Sequence, residues 1–155
     1  MNKFKNKILP WIPAIAWMIL IFSLSAQPAA DSNGLSRGLT KIIIGIIGRI
    51  LPLDVQTSSV NSFISQLNYF VRKFAHFSAY MILAVLVSAA FVKNGFKAHK
   101  VLIFAFAVCV LYAASDEIHQ LFVPGRGSQL KDVIIDSAGS LVGIAISRII
   151  FKLRT

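Results

Sequence analysis

Acidic residues are scarce in this chain: six Asp and Glu stand among 155 residues, against sixteen Lys and Arg. Charged residues of both signs make up 14% of the sequence and hydrophobic residues 56%, which excludes an ordinary soluble domain of this size. The mean hydropathy of +0.72 points instead to an integral membrane protein. In a soluble protein a net charge of +10 would suggest a nucleic-acid partner. Here the bases flank apolar segments and form no soluble basic face, so no nucleic acid is expected. They are read as orienting the chain and meeting anionic head groups. With a single cysteine, Cys109, no disulfide framework can form within the chain. Its apolar surroundings mark it as a packing residue. Internal repeats, low-complexity segments and an evident nucleophile are also lacking.

What the chain has is apolar sequence in long runs. Four segments, at about 8–26, 74–92, 101–122 and 133–151, each approach the ~20 residues that span a bilayer. The expected fold is an all-α membrane protein, a four-transmembrane-helix bundle forming one domain over 1–155. The first run follows Lys3, Lys5 and Lys7, as in a secretory signal. It is longer than a signal core, and Gln27-Pro28 is a poor cleavage context, so a retained anchor is expected.

The connection over 27–71 opens as a loop. From Leu35 to Leu51 it turns apolar, with Arg37, Lys41, Gly45 and Arg49 at four-residue steps along one helix face. Bases at every turn are costly in hydrocarbon, so this is read as an amphipathic helix in the outer interface, ended by Pro52. The plainer alternative is a helix that only packs on the bundle. A further helix is expected from Ser58 or Ser59, running into the second span.

The bases also orient the bundle. Lys3, Lys5, Lys7, Lys93, Lys97, Lys100, Arg148, Lys152 and Arg154 fall on one side with no acid. The other side carries seven bases and all six acids, a net charge of +1. The positive-inside rule then puts both termini in the cytoplasm of a multi-pass protein.

Polar groups cluster on the expected outer side. Arg72, His76 and Tyr80 recur at four-residue steps with Lys73 beside them. They form either a cationic stripe that meets a phosphate or carboxylate, or snorkelling anchors with an interfacial tyrosine. Asp116, His119 and Gln120 share a face of the third helix, with Glu117 next to it. Asp116 and His119 could supply two metal ligands and His76 a third, but no second such pair is present and no metal is expected. An ion-pair network in which Asp116 and Glu117 hold Arg72, Lys73 or Arg126 fits better. Val123-Pro124-Gly125-Arg126-Gly127-Ser128 reads as a tight turn whose backbone N–H groups approach an anion. Asp132 suits the first turn of the fourth helix, either as a cap or in the site. Asp136 lies deeper and needs a partner among Lys73, His76 and His119. Gly139 and Gly143 offer a small-residue face for close helix packing within the bundle.

Three of these motifs, Lys73-Phe74-Ala75-His76-Phe77-Ser78-Ala79-Tyr80, Ser115-Asp116 through Arg126, and Lys131-Asp132 through Ser140, occur in the order seen in a known family. Over about residues 8–151 the chain resembles the VanZ-like family of small bacterial membrane proteins. Members commonly carry Glu at the position of Ala79 and Asn at that of Asp136. The resemblance implies a setting at the outer envelope face and a link to teicoplanin susceptibility. The expected partners are membrane lipids or polyprenyl-linked envelope precursors. The expected head-group site is Arg72, Lys73, His76, Tyr80, Asp116, Glu117, His119, Gln120, Arg126, Asp132 and Asp136, with no cofactor. Other functions stay open: an intramembrane enzyme using Glu117 or His119 as general base on a lipid phosphate, a small transporter subunit, which would require an oligomer, and a plainly structural role as an assembly partner.

Overall fold

The computed structural model describes residues 7–29, 34, 37, 38, 40, 42–46 and 58–152. A short 3-10 turn, Leu9–Trp11, leads into α1, Ile12–Ser25. Three long helices follow: α2, Ser58–Lys93; α3, Ala98–Gln120; and α4, Leu130–Ile150. The last three are long and apolar enough to cross a bilayer, over Ser62–Lys93, Ala98–Gln120 and Leu130–Ile150. The protein is therefore a multi-pass, all-α membrane protein.

Of the four expected spans, three are long apolar helices, and the first is a shorter apolar helix, Leu9–Ser25, inside the expected 8–26. Pro10 and Pro13 sit at the starts of the 3-10 turn and of α1, where their missing N–H groups are tolerated, and the backbone stays helical through both, from Lys7 to Ser25. The second span starts well before the expected residue 74. Arg72 and Lys73 mark a change of surroundings and not a helix end, and α2 runs on without interruption, as expected, from Ser58. At 1.5 Å per residue its 36 residues reach about 54 Å, beyond the ~30 Å hydrocarbon core.

The expected helix over Leu35–Leu51 is seen in part: residues 34, 37, 38, 40 and 42–46 are helical. Thr40 is buried there and its hydroxyl donates to Asn68 Oδ1 on α2 at 3.2 Å, so this segment packs on the bundle. Lys41, Arg49 and Pro52 lie outside the described residues.

Periodicity explains which faces turn inward. Tyr80, Leu83, Ala84, Val87 and Phe91 form the buried stripe of α2. On α3 the stripe is Val101, Ala105, Cys109 and Ala113, which continues into Glu117 at the same four-residue step. Cys109 is the packing residue expected of it. The buried face of α4 is small and polar instead: Asp136, Gly139, Ser140, Gly143 and Ser147. Its large side chains, such as Leu130, Ile134 and Ile149, face outward, where lipid replaces water as solvent. Ser140 and Ser147 donate to the carbonyls of Asp136 and Gly143, each at 2.8 Å, so their hydroxyls are satisfied locally.

The glycines do the packing work expected of them. A Cβ on Gly139 would overlap the Phe77 carbonyl, and one on Gly143 would overlap the Met81 carbonyl and come within 2.9 Å of the Ala84 Cβ. These contacts advance in the same direction along both helices, so α2 and α4 run parallel at backbone contact. α1 runs the other way along α2. Trp11 packs edge-on against Phe91 at 4.9 Å between ring centroids, and Trp17 Nε1 donates to the Ala79 carbonyl at 2.9 Å. Tyr112 of α3 donates to the Met18 carbonyl at 2.6 Å and fixes α1 from the other flank.

Candidate functional site

Alternating helix directions bring the end of α1, the middle of α2, the end of α3 and the start of α4 to one level. Arg72, Lys73, Asp116, Arg126 and Asp132 all arrive there. The opposite end holds Lys93, Lys97, Lys100, Arg148 and Lys152.

The link between α3 and α4 is built by its turn residues. Arg126 N–H donates to the Val123 carbonyl at 3.1 Å, with Pro124 and Gly125 between them. Gly125 has φ +74°, which together with the preceding proline gives a type II turn. The expectation that this backbone cradles an anion is corrected for Arg126, whose N–H closes the turn. Ala29 N–H donates to the Pro124 carbonyl at 3.2 Å, so the chain leaving α1 is fastened to the turn.

Under the turn lies a cavity of about 160 Å³, lined by Tyr69, Arg72, Lys73, Gln120, Gly125, Arg126, Gly127, Gln129 and Asp132. Its charges are unbalanced. Lys73 forms an ion pair with Asp132 and lies 5.2 Å from the centre of the Tyr69 ring. Among the described residues Arg72 and Arg126 form no salt bridge. Arg126 donates through an Nη to the Leu24 carbonyl at 3.2 Å, while its Nε is buried without a partner among the described residues. Burial pulls the Arg126 guanidinium below its ordinary pKa. The positive charge of Arg72 adds to that effect, and Asp116 and Glu117 oppose it.

Beneath the cavity is a layer of buried carboxyl groups, and the expected ion-pair network is corrected here. Among the described residues Asp116 pairs with no arginine or lysine. Its Oδ2 accepts from the Ser25 hydroxyl at 2.9 Å and from Gln120 Nε2 at 3.2 Å. The Gln120 amide also donates to Ser25 Oγ at 2.8 Å, which closes a three-residue ring across α1 and α3. Glu117 Oε2 accepts the Gln129 N–H at 2.7 Å, tying the end of α3 to the start of α4. Asp136, 1% exposed, faces His76 with Nδ1 3.7 Å from Oδ1, an ion-pair distance too long for a direct hydrogen bond. Tyr80 is fully buried, and its hydroxyl has no hydrogen-bond partner among the described residues.

The structure thus brings Arg72, Lys73, Gln120, Arg126 and Asp132 to the cavity wall. It sets His76, Tyr80, Asp116, Glu117 and Asp136 in or near the layer below. His119 turns aside to lie against Phe22, with ring centroids 4.4 Å apart. Neither Glu117 nor His119 lines the cavity. Among the described residues no three His, Cys, Asp or Glu side chains gather as metal ligands.

Two contributors are absent from the sequence reading. Ser25 is the last residue of α1, and a hydroxyl closing an apolar run at the level of the acids is the signal that would have found it. Tyr69 precedes Lys73 by one helical turn, the spacing that stacks side chains on one face.

A family model described as VanZ/LLP1 matches residues 10–151, which include every residue of this site. No curated protein and no solved structure matches the chain.

Proposed function

The chain belongs to the VanZ/LLP1 family, and from that premise we propose that it is a non-catalytic protein of the bacterial cytoplasmic membrane that holds an anionic lipid head group. The ligand is a membrane lipid or a polyprenyl-linked envelope precursor, bound at the outer face. The observation that carries this reading is the cavity wall: three cations, Arg72, Lys73 and Arg126, against one acid, Asp132, which is already paired with Lys73. Guanidinium groups form bidentate hydrogen bonds with phosphate oxygens, and the buried, unpartnered Arg126 Nε is a donor waiting for such an acceptor.

The charge distribution supports the orientation. Lys7, Lys93, Lys97, Lys100, Arg148 and Lys152 crowd the end away from the cavity, with no acid among the described residues there. By the positive-inside rule that end is cytoplasmic, as are both termini, and the cavity faces outward. Sequestering a precursor head group at the outer surface is a route by which such a protein lowers susceptibility to a glycopeptide such as teicoplanin.

The test is native mass spectrometry of the purified protein, comparing lipids that co-purify with wild type and with Arg126→Ala. Wild type is expected to retain an anionic lipid that the variant loses. In cells, Arg126→Ala and Asp116→Asn are expected to remove any glycopeptide tolerance while leaving membrane insertion intact. Equal lipid retention by wild type and Arg126→Ala would overturn the reading.

A further inference from the structure

The cavity's charge count selects among anionic head groups. We infer that the site is matched to a doubly charged terminal phosphate, a phosphomonoester or a diphosphate, and not to the singly charged phosphodiester of common anionic phospholipids. This inference rests on the head-group reading above and narrows it.

The count starts from what is already spent. Lys73 and Asp132 neutralise each other across α2 and α4. The other cationic wall residues are Arg72 and Arg126, which come from different elements and repel each other; Asp116 and Glu117 act on Arg126 from the layer below, but their hydrogen bonds go to Ser25, Gln120 and the Gln129 N–H, and among the described residues neither pairs with an arginine. A phosphodiester offers one negative charge and leaves one guanidinium uncompensated at a half-buried rim. A phosphomonoester carries between about −1.5 and −2 at neutral pH, which matches two facing guanidinium groups. It also presents three terminal oxygens, enough for a fork from each arginine. The exposed Gln129 side chain adds a neutral amide at the wall, and the Tyr69 ring stands beside Lys73. The volume of about 160 Å³ suits a compact phosphate group better than a glycosylated head group enclosed whole. Any sugar or chain attached to the phosphate then lies outside the cavity.

The experiment uses the full-length protein in phosphatidylcholine nanodiscs containing either phosphatidic acid, a phosphomonoester, or phosphatidylglycerol, a phosphodiester. Bound lipid is counted by native mass spectrometry. Wild type is expected to retain phosphatidic acid about tenfold better than phosphatidylglycerol. Arg72→Gln is expected to reduce that preference to near equality, because one guanidinium then remains for one charge. Lys131→Gln, exposed and outside the cavity wall, is expected to keep the full preference and controls for general attraction to anionic surfaces. Thermal melts of each variant separate lost binding from lost folding. Inorganic phosphate added as competitor tells the two sources apart: displacement of phosphatidic acid assigns the dianion to a soluble phosphate, and retention assigns it to a lipid, and the charge match stands in both cases. Equal retention of the two lipids by wild type overturns this inference and leaves the head-group reading standing. Retention of neither overturns both.

Discussion

Gly139→Ala tests the parallel α2–α4 contact on which the cavity depends. A methyl at 139 lands on the Phe77 backbone, 3.0 Å from its carbonyl carbon, 3.1 Å from its Cα and closer still to its oxygen. No side-chain rotation can relieve a clash with backbone, so the helices must separate or slide. Overpacking of this kind costs about 1–3 kcal/mol, and a backbone obstacle puts the expected loss in the upper half of that range. For a chain of this length about 2–3 kcal/mol lowers the melting temperature by roughly 4–12 °C. The assay is a thermal melt of purified protein in a fixed detergent. Gly127→Ala is the matched control, since a Cβ there meets nothing within 4 Å. Lys73 and Asp132 bridge the same two helices nearer the cavity, one and two turns from the glycine contact, so spreading also loosens their ion pair. Gly139→Ala should therefore melt earlier and retain less lipid. If it melts together with wild type and Gly127→Ala, the close approach of α2 and α4 is wrong.

Three further outcomes are expected. Ser25→Ala removes a hydrogen bond to Asp116 Oδ2 and a partner of Gln120, and is expected to destabilise the protein by about 1–2 kcal/mol, read as an earlier melt. Asp132→Asn releases Lys73 and leaves three uncompensated cations at the cavity, so retention of anionic lipid measured by native mass spectrometry should rise several-fold, and unchanged retention would count against the charge argument. The preference for phosphatidic acid should fade as pH falls through about 6, where a phosphomonoester takes up its second proton, while phosphatidylglycerol binding stays flat.

Much of the fold was legible because bilayer physics leaves so few choices. A long apolar run must be a helix, and its length and flanking bases mark where it lies. The first run was also legible as an apolar helix, close to its expected bounds, but at Leu9–Ser25 it is shorter than the other three. Gly139 and Gly143 could be read because four-residue spacing of small residues has one structural meaning inside a bundle. The site was legible as a set of residues and not as a set of pairs. Spacing put Asp116 and Glu117 at the correct level, but pairing depends on rotation about the helix axis. That rotation gave Asp116 to Ser25 and Gln120, and gave Lys73 to Asp132. His119 shares a sequence face with Asp116 yet stacks on Phe22, because α1 packs in closely enough to take the ring.

The end of α1 has a bearing on how a ligand arrives. Its last residue, Ser25, meets Asp116, and the carbonyl one residue earlier, on Leu24, holds the Arg126 guanidinium. The outer face of α1 carries Ile15, Ile19 and Phe22, apolar side chains left exposed for acyl chains to cover. On the head-group reading, a lipid lying along that face brings its phosphate to the level of Arg126 and reaches the cavity by lateral diffusion in the plane of the membrane, without leaving it for bulk water.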